Sequence, residues 1–355
     1  FSITAALTGA GKLVKKGGGL LSLTGANTFG GGLDVNEGTL ALSTTGSAGF
    51  GGTLIMGVGG DSSTTLVLGP NVTLANDVTL NGAVEVMLGL PVEYLVVGGG
   101  GGGGSSQGVS GGGGGAGGLL QGTMIFTSSS AAVSVGAGGT GSTSYSNTGG
   151  QGGDSAFGSL TALGGGGGGS ALYNGAVASA TNGGSGGGGT SKPNSGSIPG
   201  ADGENGQGND GANGVVGSYA GGGGGAGGAA TGRDGGLGLI SSIAGTAVTY
   251  AAGGDGGLDG TSANGTNGVA NTGGGGGGAS TNSNSDFKNG GTGGSGIVVI
   301  RYAGTSDLAD GGTDEAGTGT ATGYRVHTFT SDGTFTLATG SIDASITGDI
   351  SGSGT

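Results

Sequence analysis

The residues best suited to chemistry are oxygen ligands set among glycines. Asp202-Gly203-Glu204-Asn205-Gly206-Gln207-Gly208-Asn209-Asp210-Gly211 and Asp255-Gly256-Gly257-Leu258-Asp259-Gly260 put carboxylates and amides on easily bent chain. A hard cation such as calcium requires that combination. The candidate ligands are Asp202, Glu204, Asp210, Asp255 and Asp259. Their spacing matches neither the calcium-binding nonapeptide nor the twelve-residue calcium loop. Solvated turns, which also favour Asp and Asn beside Gly, are therefore the competing reading.

Other chemistry is scarce. The chain has one histidine, His327, in a strand-like run between Thr and Phe neighbours, where packing is the expected role. With no cysteine, thiol nucleophiles and zinc–thiolate sites are excluded. G-x-G-x-x-G matches abound, for example within residues 111–118, but none opens a helix or leads into Lys-Ser/Thr. The expectation is a protein that is not an enzyme. Tyr145, Tyr173, Asn174 and Tyr219 could instead form an aromatic rim for a cell-surface glycan.

The elements that must position these groups are unusual. Glycine supplies 107 of 355 residues, proline only 4, and no Gly-X-Y period exists, so collagen is excluded. Net charge is −13 and the lone basic cluster is Lys12, Lys15 and Lys16, which opposes nucleic-acid binding. No apolar run approaches the ~18 residues of a membrane helix. The chain starts at Phe1 with neither Met nor a signal peptide, and so reads as a processed product, a fragment or part of something larger.

Helix is disfavoured, because each glycine costs ~1 kcal/mol relative to Ala. Residues 1–91 read as short alternating strands between Gly or Asn turns, such as Leu20-Leu21-Ser22-Leu23, Thr39-Leu40-Ala41-Leu42 and Thr65-Leu66-Val67-Leu68. Stacked as rungs of a parallel β-solenoid, they would bury one continuous apolar column. Residues 92–303 carry the long glycine tracts between two apolar ends, Val92–Val97 and Ile297–Tyr302, predicted to be neighbouring strands. Without Cβ atoms, polyglycine II helices could pack closely and satisfy every backbone group through one another. Gly-rich loops on a β scaffold are the alternative. Residues 304–355 contain Tyr324–Leu337, which alternates around Ser331-Asp332-Gly333 and predicts a β-hairpin, then the start of a further solenoid repeat. The fold class is thus all-β and repetitive.

Two resemblances follow. Residues 9–42, with Gly9-Ala10-Gly11-Lys12-Leu13 through Ala26-Asn27-Thr28-Phe29 to Val35-Asn36-Glu37-Gly38-Thr39-Leu40, resemble the autotransporter-associated β-strand repeat. That resemblance implies a right-handed parallel β-helix on secreted bacterial surface proteins. Residues 92–303 resemble the glycine-rich domain of phage tail-fibre adhesins and secreted bacterial proteins, through Val92-Glu93-Tyr94-Leu95-Val96-Val97-Gly98 and Gly296-Ile297-Val298-Val299-Ile300-Arg301-Tyr302.

The ends also resemble each other. Ser2-Ile3-Thr4-Ala5-Ala6-Leu7 aligns with Ser345-Ile346-Thr347-Gly348-Asp349-Ile350, nominating Ser2, Ile3, Leu7, Ser345, Ile346 and Ile350 as assembly residues. The resulting expectation is an extracellular or cell-surface fibre module that joins copies of itself head to tail. An adhesin is the alternative. An ice-binding protein is a third, disfavoured by the irregular spacing of Thr39, Thr53 and Thr65.

Overall fold

The computed structural model describes the chain apart from residues 44, 59–62, 70–71, 174, 176, 192–197, 284–285, 305, 339–343 and 353–355. Asn174 of the expected glycan rim lies outside the described residues. The fold is nearly all β, with no α-helix among the described residues.

The first part is a stack of short parallel strands. One sheet runs Ser2–Ile3, Leu20–Leu23, Gly38–Leu42, Thr64–Leu68, Val84–Leu88; a second runs Leu13–Lys15, Leu33–Val35, Leu54–Met56, Val78–Leu80, Ile350–Gly352. Each alternation turns a leucine inward at the same register. Ile3, Leu23, Leu42, Leu68 and Leu88 form one column; Leu13, Leu33, Leu54, Val78 and Ile350 form another. A third side carries Phe29 stacked on Phe50 at 5.2 Å. No strand here exceeds five residues, so burial of these leucines, roughly 1.5–3 kcal/mol each, holds the stack rather than any single pairing.

The last rung has two sources in the chain. Val84–Leu88 pairs with Thr64–Leu68, while Ser345–Ile346 pairs with Thr73–Leu74 and Ile350–Gly352 with Val78–Leu80. Everything between Leu88 and Ser345 is therefore inserted into one rung of the solenoid.

The insertion opens as a β-sandwich. Its central sheet has the order Leu119–Phe126, Leu90–Val97, Ile297–Ala303, Tyr324–Phe329, Thr313–Ala316, all antiparallel. The two apolar ends are neighbours as expected, with Val97 opposite Ile297 and Glu93 opposite Arg301. A second sheet holds Leu160–Ala162, Ser155–Phe157, Ser130–Ser134, Gly333–Leu337 and Ala309–Asp310. Val92, Val96, Val298 and Ile300 meet Val133, Phe157 and Phe335 between the sheets.

Two expectations are corrected. Tyr324–Phe329 and Gly333–Leu337 are not a hairpin; they enter different sheets, pairing with Ile297–Ala303 and Ser130–Ser134 respectively. Alternation marks both strands as half-buried but does not name their partners. Asp332 caps another strand, accepting from the Val135 N–H at 2.8 Å. Nor are the aligned termini copies of one rung side. Ile3 lies in the first sheet against Leu23, whereas Ile346 pairs with Leu74; Ile350 pairs with Val78 in the second sheet, whereas the Leu7 N–H is held by Asn27 Oδ1. Every side of the solenoid is built from short strands of two to five residues, so a ten-residue likeness does not fix which side is occupied.

Candidate functional site

From Gly98 onward the glycine tracts bond to one another, and the partners recur every three residues. The Gly98, Gly101 and Gly104 N–H groups donate to the carbonyls of Gly118, Gly115 and Gly112; Gly99 and Gly102 donate to Gly153 and Gly150; Gly100 and Gly103 donate to Gly294 and Gly291. The carbonyls of the same tract accept from Gly139, Ser142, Gly165, Gly168, Gly276 and Ala279. One tract therefore has six neighbouring tracts, three accepting and three donating. Residues 111–118 are surrounded in the same way. Such closeness excludes side chains: a Cβ on Gly101 would collide with the Gly166 carbonyl, and one on Gly168 with that of Gly112.

Where a tract lacks a neighbour, a polar side chain takes its place. Asn264 and Asn267, three residues apart, accept through Oδ1 from the Asn289 and Thr292 N–H groups at 3.0 Å each. Asp154 does the same for Gly164 at 2.7 Å. The proposed calcium ligands fall largely into this role. Asp210 accepts from the Gly203 N–H, Asp255 from the Gly235 N–H, and Asp202 and Glu204 are tied through their own N–H groups to Asn182 Oδ1 and the Gly183 carbonyl. One oxygen of Asp259 accepts from the Ser110 N–H, the Ser110 hydroxyl and the Ser191 hydroxyl at 3.0, 2.6 and 2.8 Å. Among the described residues, no three acidic or histidine side chains converge as a cation site.

The nominated assembly residues separate to the two ends of the solenoid. At one end Ile3 and Leu13 are half-buried, and Lys15 continues a column of Val35, Met56 and Leu80. Its Nζ donates to the Gly17 and Glu37 carbonyls, and burial lowers its pKa against the opposing pull of Glu37. At the other end Val86, Leu88 and Ile350 are 46, 46 and 59% exposed, although each sits in register with a buried Leu66, Leu68 or Val78. That apolar end has no cap among the described residues. No single residue type signals it, because exposure here is set by stacking order. Thr39 and Thr65 do stack, but their row ends on Leu20 and Glu85, so no regular threonine face forms.

The histidine is more connected than its sequence context implied. His327 is fully buried; Nδ1 lies 2.9 Å from the Gly311 carbonyl, and Nε2 lies 3.5 Å from the Tyr302 hydroxyl and 3.6 Å from Asp314. Asp314 also pairs with Arg325 at 2.6 Å. Tyr302 accepts from the Leu308 N–H at 3.0 Å, and burial pushes its pKa up to about 12. The cluster pins the segment 308–314 across the sandwich.

Comparison with protein families decides the classification. A glycine-rich domain model matches residues 75–303, and a passenger-associated-transport-repeat model matches residues 13–42. The chain belongs to the glycine-rich domain family. No curated protein matches it. The glycine-rich domain and the passenger repeat together mark a secreted or surface β-rich protein. No helix among the described residues is long and apolar enough to cross a membrane.

Proposed function

We propose that the chain is a non-catalytic module of an extracellular filament, in which solenoids continue end to end and the glycine insertion projects from the side. The tracts are read as polyglycine II helices, whose three-residue period fits the recurrence of their hydrogen bonds. The observation that carries the filament reading is the exposed rung of Val86, Leu88 and Ile350. A following rung in the same register would place an Ile3 on Leu88 and a Leu13 on Ile350, extending both columns without a break. Parallel edges left unpaired at both ends supply the backbone bonds. Charge favours the same polarity: Lys12 and Lys16 lie at one end, and Glu85 and Asp349 at the other. A repeated contact of this kind does not close, so it propagates.

Electron microscopy and sedimentation of the whole chain test the reading. Filaments with a regular axial repeat are expected, and the double change Val86→Lys with Leu88→Lys should return them to single particles. Monodisperse wild-type particles at concentrations on the order of 100 μM, well above a micromolar Kd, would overturn it, as would filaments indifferent to the double change.

A second reading, a receptor- or glycan-binding adhesin, is favoured by one feature. The turns bearing Tyr145, Tyr173 and Tyr219 all lie at the Gly104/Gly111 end of the bundle, where the Tyr173 N–H bonds the Gln107 carbonyl and Tyr219 pairs with Leu258. Binding to host or bacterial surfaces lost on replacing these tyrosines, with assembly unchanged, would favour this reading.

A further inference from the structure

A cleft of about 470 Å³ opens beside the central sheet, apart from the Val86, Leu88 and Ile350 rung and from the tyrosine-bearing turns; its Glu93, Thr123 and Arg301 also border Ser2, Leu20 and Ser22 of the first solenoid rungs. One wall is the strand Leu119–Phe126, the first strand of its sheet, so one side of its backbone has no neighbour in that sheet. The opposite wall is the turn Ser241-Ser242-Ile243, with Thr320 at its rim. The floor is a charge pair: Arg301 donates from Nε and Nη2 to Glu93 Oε2 at 3.0 and 2.6 Å, and from Nη1 to the Ile243 carbonyl at 3.1 Å. The guanidinium carbon lies 4.3 Å from the centre of the Tyr324 ring, which fixes its plane.

The lining sets the chemistry of a ligand. Among the described residues, Glu93 and Arg301 are the only charged side chains lining the cleft and they neutralise each other, so a charged ligand would find no counter-ion there. The remaining polar groups are uncharged. Gln121 and Thr123 are exposed on the edge strand and make no side-chain hydrogen bond to another described residue. Gly122 between them leaves room for the Tyr94 ring, whose hydroxyl a Cβ there would meet at 2.8 Å. A fixed acid–guanidinium pair offers acceptor and donor side by side, the pattern that adjacent hydroxyls match through charge-assisted bonds. The amide, the hydroxyls and an aromatic edge complete the few placed polar groups that orient a small ligand, and the volume falls within the usual range of about 300–1,000 Å³.

We propose that this cleft binds a short neutral saccharide, held by the Glu93–Arg301 pair and the edge-strand residues Gln121 and Thr123. The site shares no residue with the exposed rung of Val86, Leu88 and Ile350 or with the tyrosine-bearing turns, so its failure and theirs are separable.

The test is titration of the whole chain with maltose, cellobiose, lactose and N,N′-diacetylchitobiose, followed by saturation-transfer NMR and calorimetry, with sialyllactose as the charged comparison. At least one neutral disaccharide should saturate at millimolar concentration or below. Gln121→Ala with Thr123→Ala should weaken it about tenfold or more, the effect of removing two hydrogen bonds. Ser242→Trp, which fills the cleft from its half-buried wall, should abolish binding while leaving the melting curve in place. No saturation with any of the four at concentrations on the order of 10 mM, an order above a millimolar Kd, would overturn the proposal. So would affinity indifferent to both variants, or binding confined to the sialylated probe.

Discussion

The glycine bundle makes a prediction that inverts a common rule of protein engineering. Gly→Ala ordinarily stabilises by about 0.4–1 kcal/mol where the backbone tolerates it, by restricting the unfolded chain. Gly101 lies in the tract with six neighbours. A Cβ on it would run into the Gly166 carbonyl, and this neighbour is backbone, which cannot swing aside as a side chain can. Gly101→Ala must therefore push residues 98–104 away from residues 164–169. These tracts share the Gly165→Gly99 and Gly168→Gly102 bonds, both 2.8–2.9 Å and both buried. Overpacking costs about 1–3 kcal/mol, and each buried bond broken adds roughly 1–3 kcal/mol. Set against the small unfolded-state gain, the net loss is about 1–5 kcal/mol with one bond broken and about 2–8 kcal/mol with both. Gly228 is the control: a Cβ there meets nothing within 4 Å, and its φ is not left-handed. Gly228→Ala should be neutral or slightly stabilising. Guanidinium unfolding followed by far-ultraviolet circular dichroism, with hydrogen exchange at Gly165 and Gly168, whose N–H groups donate those bonds, measures both. If Gly101→Ala costs less than about 1 kcal/mol, or if the two variants behave alike, the close-packed reading fails, because overpacking a rigid backbone is not that cheap.

Three further outcomes are expected. Tyr302 keeps its proton to about 12 in the folded chain against an ordinary 10.0, so its stabilising contribution is complete below pH 10 and falls by about 2–3 kcal/mol between pH 10 and 12; Tyr302→Phe should flatten that alkaline loss in a chemical-denaturation series. Lys15 has the opposite sign: its pKa is lowered, so stability should rise with pH as the buried ammonium loses its proton below 10.5, and Lys15→Met should remove the rise in the same series. Asp259→Ala strips three donors of their acceptor at the end of the bundle, and local opening there should become easier by roughly 1–3 kcal/mol, seen as faster exchange of the Ser110 N–H with exchange at Gly99 unchanged.

How much of this was legible in the residues depends on whether the deciding contact is local in sequence. The solenoid columns were readable, since the strands around Leu23, Leu42 and Leu68 repeat one inward pattern between Gly or Asn turns. The pairing of Val92–Val97 with Ile297–Tyr302 was readable for a different reason: they are the two apolar ends of the glycine-rich region. Partner identity was not readable for Tyr324–Phe329 and Gly333–Leu337, whose alternation suits a hairpin as well as two sheets of a sandwich. Nor did one strand-like histidine announce its burial against Tyr302 and Asp314, because those residues arrive from other strands.

The insertion is the least local feature, and it bears most directly on assembly. Val84–Leu88 completes only one side of the last solenoid rung; the other sides come from Ser345–Ile346 and Ile350–Gly352, beyond the whole glycine bundle. The sandwich returns the chain from Ala303 through Leu337 toward that rung, so the bundle and sandwich must close before the exposed Leu88 and Ile350, with the half-buried Ile346 beside them, exist as one surface. Closing so distant a loop costs only slightly more than closing a short one in equilibrium terms, but contacts this remote in sequence form slowly. The proposed end-to-end contact, if it depends on the late rung, would thereby be withheld from incompletely folded chains. Gly101→Ala, which loosens the bundle far from either solenoid end, should for that reason lengthen the lag before filaments appear while leaving the axial repeat of those that form unchanged. A shifted repeat with no change in lag would show instead that the bundle sets the spacing of the contact rather than the timing of the surface.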